Sequence, residues 1–247
     1  MIYNYQILIE YDGTNFIGWQ AQKKGISIQG KIEKALKKYF NSRIKLIGSG
    51  RTDRGVHAKK QSANFFLNHK IINKEKFLNS INYFIKSDDI SILKINKKNL
   101  KFHSRFSAKY RIYKYVIINR QSKLSIDLDR AWHIKKKLSL TLMKKGASIL
   151  KGTHDYSLFR SSSCGATSPI RTIKKISVIK KNDKIILSFT SRSFLQQQVR
   201  SMVGCLKYLG EKKWTLRQFK NNFKSKKRSN CAPPAPPYGL FLAEIKY

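Results

Sequence analysis

Residues 44–67 read Ile44-Lys45-Leu46-Ile47-Gly48-Ser49-Gly50-Arg51-Thr52-Asp53-Arg54-Gly55-Val56-His57-Ala58-Lys59-Lys60-Gln61-Ser62-Ala63-Asn64-Phe65-Phe66-Leu67. Ile44 to Ile47 reads as a short strand running into a glycine loop, and Gln61 to Leu67 as a second strand leaving it. Two successive strands with no helix between them fix the topology once the flanks are read. Upstream, Ile28, Ile32, Ala35, Leu36, Tyr39 and Phe40 recur at helical spacing behind Ser27 as N-cap. Before them, Tyr3, Tyr5, Ile7, Ile9 and Tyr11 share one face of a half-buried strand. Downstream, Phe77, Leu78, Ile81, Phe84 and Ile85 mark a second helix capped by Asn73, and Ile90 to Ile95 a closing strand. The order β-α-β-β-α-β is a split βαβ unit of the ferredoxin-like kind.

The second half echoes this more loosely. Tyr110 to Ile118 alternates as a strand and Arg130 to Ile134 reads as a short one. A helix spans about Ser139 to Leu150. Ile170 to Lys180 and Lys184 to Thr190 are expected to pair through a turn at Asn182-Asp183. Leu195, Val199, Met202, Val203, Leu206 and Leu209 define the clearest helix, ending at Gly210. Trp214 to Phe223 reads as a further helix and Leu240 to Tyr247 as a terminal strand, preceded by the rigid loop Pro233-Pro234-Ala235-Pro236-Pro237. The expected fold class is α/β (α+β): two halves, 1–104 and 105–247, joining a central, mainly antiparallel sheet.

A chain of 247 residues with 41% apolar and 12% aromatic residues is long and apolar enough to bury a sizeable core. No apolar run approaches a membrane span, and the N-terminus has no signal-peptide layout. Three widely spaced cysteines, Cys164, Cys205 and Cys231, offer neither a disulfide framework nor a zinc pair, so a reducing cytoplasm is the expected home. Lys and Arg number 52 against 13 Asp and Glu, a net charge of +39. Such self-repulsion is tolerable where the surface meets a polyanion such as nucleic acid. Abundant Lys, Ile and Asn are also what an AT-rich genome supplies, so composition contributes to the excess.

Within that basic background Asp53 is a lone carboxylate among three glycines and two arginines. A single acid is poorly suited to hold a metal, which takes several ligands. It suits a nucleophile or base acting on a polyanion, in a loop whose glycines permit sharp bends and close approach. The same residues also fit a polar turn with Asp53 paired to Arg51 or Arg54. Tyr113 and Tyr115 interleave with basic residues in Tyr110-Arg111-Ile112-Tyr113-Lys114-Tyr115, a pattern that suits either base stacking or core packing. Arg200 follows Val199 by about 100° around its helix, which puts it at the flank of the buried face. The histidines lack metal-ligand spacing, and neither a P-loop nor a dinucleotide fingerprint occurs, so no metal, nucleoside triphosphate or dinucleotide is indicated.

Six blocks in order resemble the bacterial tRNA pseudouridine synthase A family. They are Tyr11-Asp12-Gly13-Thr14 with Phe16 and Gly18-Trp19-Gln20, Gly50-Arg51-Thr52-Asp53 with Gly55-Val56-His57-Ala58, and Phe102-His103-Ser104-Arg105-Phe106-Ser107-Ala108 with Tyr113. Phe159-Arg160-Ser161 with Pro169-Ile170-Arg171, Phe194-Leu195 with Val199-Arg200 and Met202-Val203-Gly204, and Ala232-Pro233-Pro234 with Gly239-Leu240 complete the set. The resemblance implies isomerisation of uridine to pseudouridine at positions 38, 39 and 40 of the tRNA anticodon stem-loop, without cofactor or metal, by a homodimer; the active cleft is expected between the two halves of the chain, with the helices on one side of the sheet. It implies that Asp53 is the catalytic carboxylate, that Tyr113 packs on the target base, that Arg200 pairs with the aspartate and that Arg51 fills the space left by the flipped nucleotide. Leu240 of the last block joins these as a substrate-binding residue. Ser49 and Arg54 depart from the small residues common at their positions. Charge and sheet aromatics by themselves also fit a non-catalytic basic RNA-binding module, and a uracil-releasing glycosidase is a third reading.

Overall fold

The computed structural model describes residues 1–22 and 25–247. The chain divides into two units, Met1–Lys109 with Leu242–Tyr247, and Tyr110–Phe241. Each is an α/β structure on a mainly antiparallel sheet.

In the first unit the elements run β1 (Tyr3–Tyr11), α1 (Ile28–Phe40), β2 (Ile47–Gly48), β3 (His57–Leu67), α2 (Lys74–Ile85) and β4 (Ile90–Lys98), the expected β-α-β-β-α-β order. β1 lies between β3 and β4, antiparallel to both, and β2 pairs with β3. The expected caps form: Ser27 Oγ accepts from the Gly30 amide at 3.1 Å and Asn73 Oδ1 from the Lys76 amide at 2.8 Å. β2 is shorter than the Ile44–Ile47 strand expected. The Leu46 amide donates to Glu33 Oε1 and its carbonyl accepts from Gln29 Nε2, so α1 side chains take the backbone groups that a strand would have used. β3 in turn starts four residues early, at His57.

Tyr5, Ile7, Ile9 and Tyr11 form the buried face of β1 as expected. α1 and α2 contribute Ile28, Ile32, Leu36, Phe77, Ile81 and Ile85 to the same core. The opposite face is open to solvent only toward its end at Glu10, because Asn4 and Gln6 are buried as well. Asn4 Nδ2 donates to the carbonyls of Asn99 and Phe102, Asn64 Nδ2 donates to Asn4 Oδ1, and Gln6 Nε2 donates to Ser62 Oγ. These bonds offset the cost of taking the amides out of water.

The second unit holds β5 (Tyr110–Asn119), β6 (Trp132–Ile134), α3 (Leu140–Ile149), β7 (Gly152–Asp155), β8 (Ile170–Lys181), β9 (Lys184–Ser191), α4 (Gln198–Gly210) and α5 (Leu216–Ser225). β9 lies between β5 and β8, β7 pairs along β8, and β6 runs parallel to β5. β7 carries no alternation and was not expected. α4 starts at Gln198, three residues after Leu195. Gln197 adopts a left-handed conformation (φ 60°), and Gln198 Oε1 accepts from the Leu195 amide at 2.7 Å, which makes the approach a turn. α5 starts at Leu216 because Thr215 and Gln218 form a capping box. Met202, Val203, Leu206 and Leu209 of α4 are fully buried.

The last strand, β10 (Leu240–Lys246), begins in the second unit and ends in the first. In the first unit, the Lys109 amide donates to the Lys246 carbonyl at 2.8 Å. The Tyr247 hydroxyl donates to Ser62 Oγ at 2.7 Å, and the Ser104 carbonyl lies 3.0 Å from it.

Candidate active site

The loop between β2 and β3 is fastened residue by residue. The Ser49 amide donates to the Ser62 carbonyl at 2.8 Å, and Gln61 Nε2 donates to the Gly50 carbonyl at 2.7 Å. Thr52 is held twice. Its carbonyl accepts from the Trp19 amide at 3.1 Å, and its hydroxyl lies 2.7 Å from the Tyr11 hydroxyl. The Asp53 carbonyl accepts from the Val56 amide at 3.2 Å, closing a tight turn that ends on the buried Val56. Asp53 is therefore the half-buried member of a loop whose neighbours on both sides are pinned, while Arg51 and Arg54 beside it are exposed. This is firmer than a free polar turn and holds the acid's backbone in one place.

The loop after β1 packs against this one. The Gly13 amide donates to His57 Nδ1 at 3.0 Å, and Asp12 Oδ1 lies 3.1 Å from the same nitrogen. A Cβ on Gly13 would stand 2.1 Å from the Val56 carbonyl oxygen, so only a glycine permits the two backbones to approach. His57 is 2% exposed, an internal brace between the two loops. The sequence singled out both loops but not the bonds between them. Tyr11, Gly13, Trp19 and His57 enter the candidate site through hydrogen bonding across some forty residues, for which spacing gives no signal.

In the second unit Tyr113 sits on β5, 8% exposed, with its ring edge-on to Phe194 at 5.3 Å. Tyr115 is fully buried, and its hydroxyl donates to the Pro236 carbonyl at 2.9 Å. Burial, with Tyr238 nearby, pushes the Tyr115 phenol far above its ordinary range against the pull of Arg200. Tyr115 is thus a core residue, while Tyr113 is buried less completely. Arg200, on the first turn of α4, is half-buried between the buried Val199 and Ser201, matching its expected place at the flank. Its Nε donates to the Ala235 carbonyl at 2.7 Å, and its carbonyl accepts from the Ala235 amide at 3.0 Å. The proline-rich loop therefore holds this side chain at its Nε. Leu240, at the start of β10, is buried. Among the described residues, no three His, Cys, Asp or Glu side chains cluster as metal ligands.

A carboxylate on a braced loop, exposed arginines beside it, and a basic surface form a chemical inventory for acting on a nucleic acid. Comparison with known proteins agrees. The model of a family described as tRNA pseudouridine synthase matches residues 7–107 and 147–247. Those spans include Arg51, Asp53, Arg200 and Leu240; Tyr113 falls in the interval between them. The tRNA pseudouridine synthase A of Pelagibacter ubique is 57% identical over 246 residues, covering 100% of both chains. Proteins of the same name from Afipia carboxidovorans and Maricaulis maris are each 40% identical over 243 residues, 98% of this chain and 99% and 97% of theirs. With a family match over most of its length and full-length relatives at these identities, the chain belongs to the tRNA pseudouridine synthase family of isomerases.

Proposed function

We propose that this protein converts uridine to pseudouridine at positions 38, 39 and 40 of the tRNA anticodon stem-loop, with Asp53 as the catalytic carboxylate. The observation that carries the reading is the Asp53 loop itself, an acid whose adjoining backbone is bonded at Thr52, at its own carbonyl and at Gly50. Such bracing supplies the fixed geometry that nucleophilic or general-base catalysis needs. The reaction breaks the bond between the ribose and N1 and forms one to C5, so substrate and product are isomers. The target nucleoside leaves its stack at a cost of a few kcal/mol, which phosphate contacts on a chain of net charge +39 offset. In this reading sub-domain 1–104 contributes the acid and Arg51, while sub-domain 105–247 contributes Tyr113, Arg200 and Leu240 as substrate-binding residues. The enzyme acts as a homodimer in the cytoplasm. Among the described residues no helix is long and apolar enough to cross a membrane.

The test uses unmodified tRNA carrying C5-tritiated uridine. The native chain is expected to release tritium as C5–H gives way to C5–C. Asp53→Asn is expected to bind tRNA with native affinity and release none. Sequencing of the product places pseudouridine at 38, 39 or 40. Tritium retained by the native chain on such tRNAs rejects the reading in favour of a binding module, and free uracil in the mixture rejects it in favour of a glycosidase.

A further inference from the structure

The helix that carries Arg200 meets the segment after α5 along a seam with three consecutive contacts. The first is the two-way backbone and side-chain bonding of Arg200 with Ala235. The second is Gly204, where a Cβ would stand 2.1 Å from the Pro233 carbonyl oxygen. The third is a pair of free thiols, Cys205 on α4 and Cys231, whose Sγ atoms lie 3.5 Å apart. Twenty-five residues separate them in sequence, and the fold brings them together. Their environments differ. Cys205 is completely buried and Cys231 only partly. Arg228 Nη1 donates to Cys231 Sγ at 3.3 Å while also bonding Ser201 Oγ at 2.8 Å and the Leu158 carbonyl at 3.2 Å. A guanidinium fixed by two other partners is a standing counter-charge for a thiolate. The hydrogen bond from Cys205, against the cost of burial and with Arg228 adding to it, holds the Cys231 thiol below its ordinary range. The same bond together with burial pushes Cys205 far above it.

We propose that Cys205 and Cys231 form a peroxide-oxidisable dithiol, with Cys231 the attacking thiolate and Cys205 the thiol that resolves it into an intrachain disulfide. The less buried, charge-stabilised sulfur reacts first. The Cys231 thiolate attacks one oxygen of hydrogen peroxide and becomes a sulfenic acid as hydroxide leaves. The Cys205 sulfur then attacks the Cys231 sulfur, forming the S–S bond and expelling hydroxide, which leaves as water with the Cys205 proton. Two thiols lose two electrons in all, and one peroxide becomes two waters. The sulfurs must close from 3.5 Å to about 2.0 Å, a short displacement for a loop segment. The product bonds the residue before Ala232 covalently to α4, at the far end of the seam from Arg200. Formation of this bond does not depend on the function proposed above.

The test is mass spectrometry of the whole native chain after graded hydrogen peroxide. Two of the three thiols are expected to disappear together with a loss of 2 Da. Non-reducing digestion should give a peptide pair linking Cys205 to Cys231, and dithiothreitol should restore both thiols. In Cys205→Ala, Cys231 is expected to accumulate as a sulfenic acid that dimedone traps. The proposal is overturned if Cys231 in the native chain stays reduced while Cys164 reacts. It is equally overturned if Cys231 gains two or three oxygens with no linked peptide appearing first.

Discussion

Asp53 owes its fixed place to residues with no chemistry assigned to them. Thr52 is held by Tyr11 and Trp19, and Val56 sits against Gly13. Gly13→Ala therefore tests the bracing. Its methyl would enter the space of the Val56 carbonyl, the two loops would separate, and the acid would move by a fraction of an ångström to an ångström. Turnover is expected to fall by about 10²-fold, the usual effect of a misplacement near 1 Å, with tRNA affinity little changed. Steady-state tritium release and filter binding measure the two. At this scale the sequence was legible where chemistry is local. A single acid among glycines and arginines in a basic chain marks itself. Its supports do not, because Tyr11 and Thr52 are 41 residues apart and nothing in either neighbourhood announces the other. Tyr113 and Tyr115 of β5 were equally ambiguous. Alternation places Tyr113 and Tyr115 on one face, and the structure buries both, Tyr115 completely with its hydroxyl on the Pro236 carbonyl.

Elements were legible where one face is apolar and the other wet. The β-α-β-β-α-β order follows from that contrast, and the Ser27 and Asn73 caps and the Asn182 turn (φ 55°) from the residue types themselves. The contrast fails at the start of β1, where Asn4 and Gln6 on the second face belong to a buried polar layer that the alternation reads as solvent-facing. Asn64 is central there, donating to Asn4 Oδ1 and accepting the Ser104 amide at 2.9 Å. Asn64→Ala leaves both partners buried without it and is expected to lower stability by about 1–3 kcal/mol, read from urea unfolding. A second element is sensitive to acid. Asp155, at the end of β7, accepts from the Ser157 amide and hydroxyl and faces Lys226 Nζ at 3.3 Å. Burial works against its ionisation, but the Ser157 bonds and Lys226 outweigh it and hold the carboxyl below its ordinary range. An acid with a lowered native pKa stabilises the fold above its unfolded value, about 3.9, and that contribution is lost as pH falls through the native value. Asp155→Asn is expected to be less stable than the native chain near neutrality and to converge with it below about pH 4. Unfolding curves over a pH series show the convergence.

For the whole molecule the governing quantity is the charge of +39. If the surface meets about 6–10 phosphates, tRNA affinity is expected to fall by roughly 10³–10⁵ between 50 and 200 mM salt. A flat titration would assign the lysines to base composition instead. The sequence announced this charge but not how the chain partitions. The terminal strand reads as the end of the second half, whereas its final residues complete the first unit. Lys109 waits for Lys246, and Ser62 for Tyr247. During synthesis at about 5–20 residues per second, the opening unit stands incomplete for several seconds or more while the ribosome makes all of the intervening chain. Its strands spend that interval without their last partners, a window in which a chaperone has access and in which premature release would leave the nascent protein prone to aggregate.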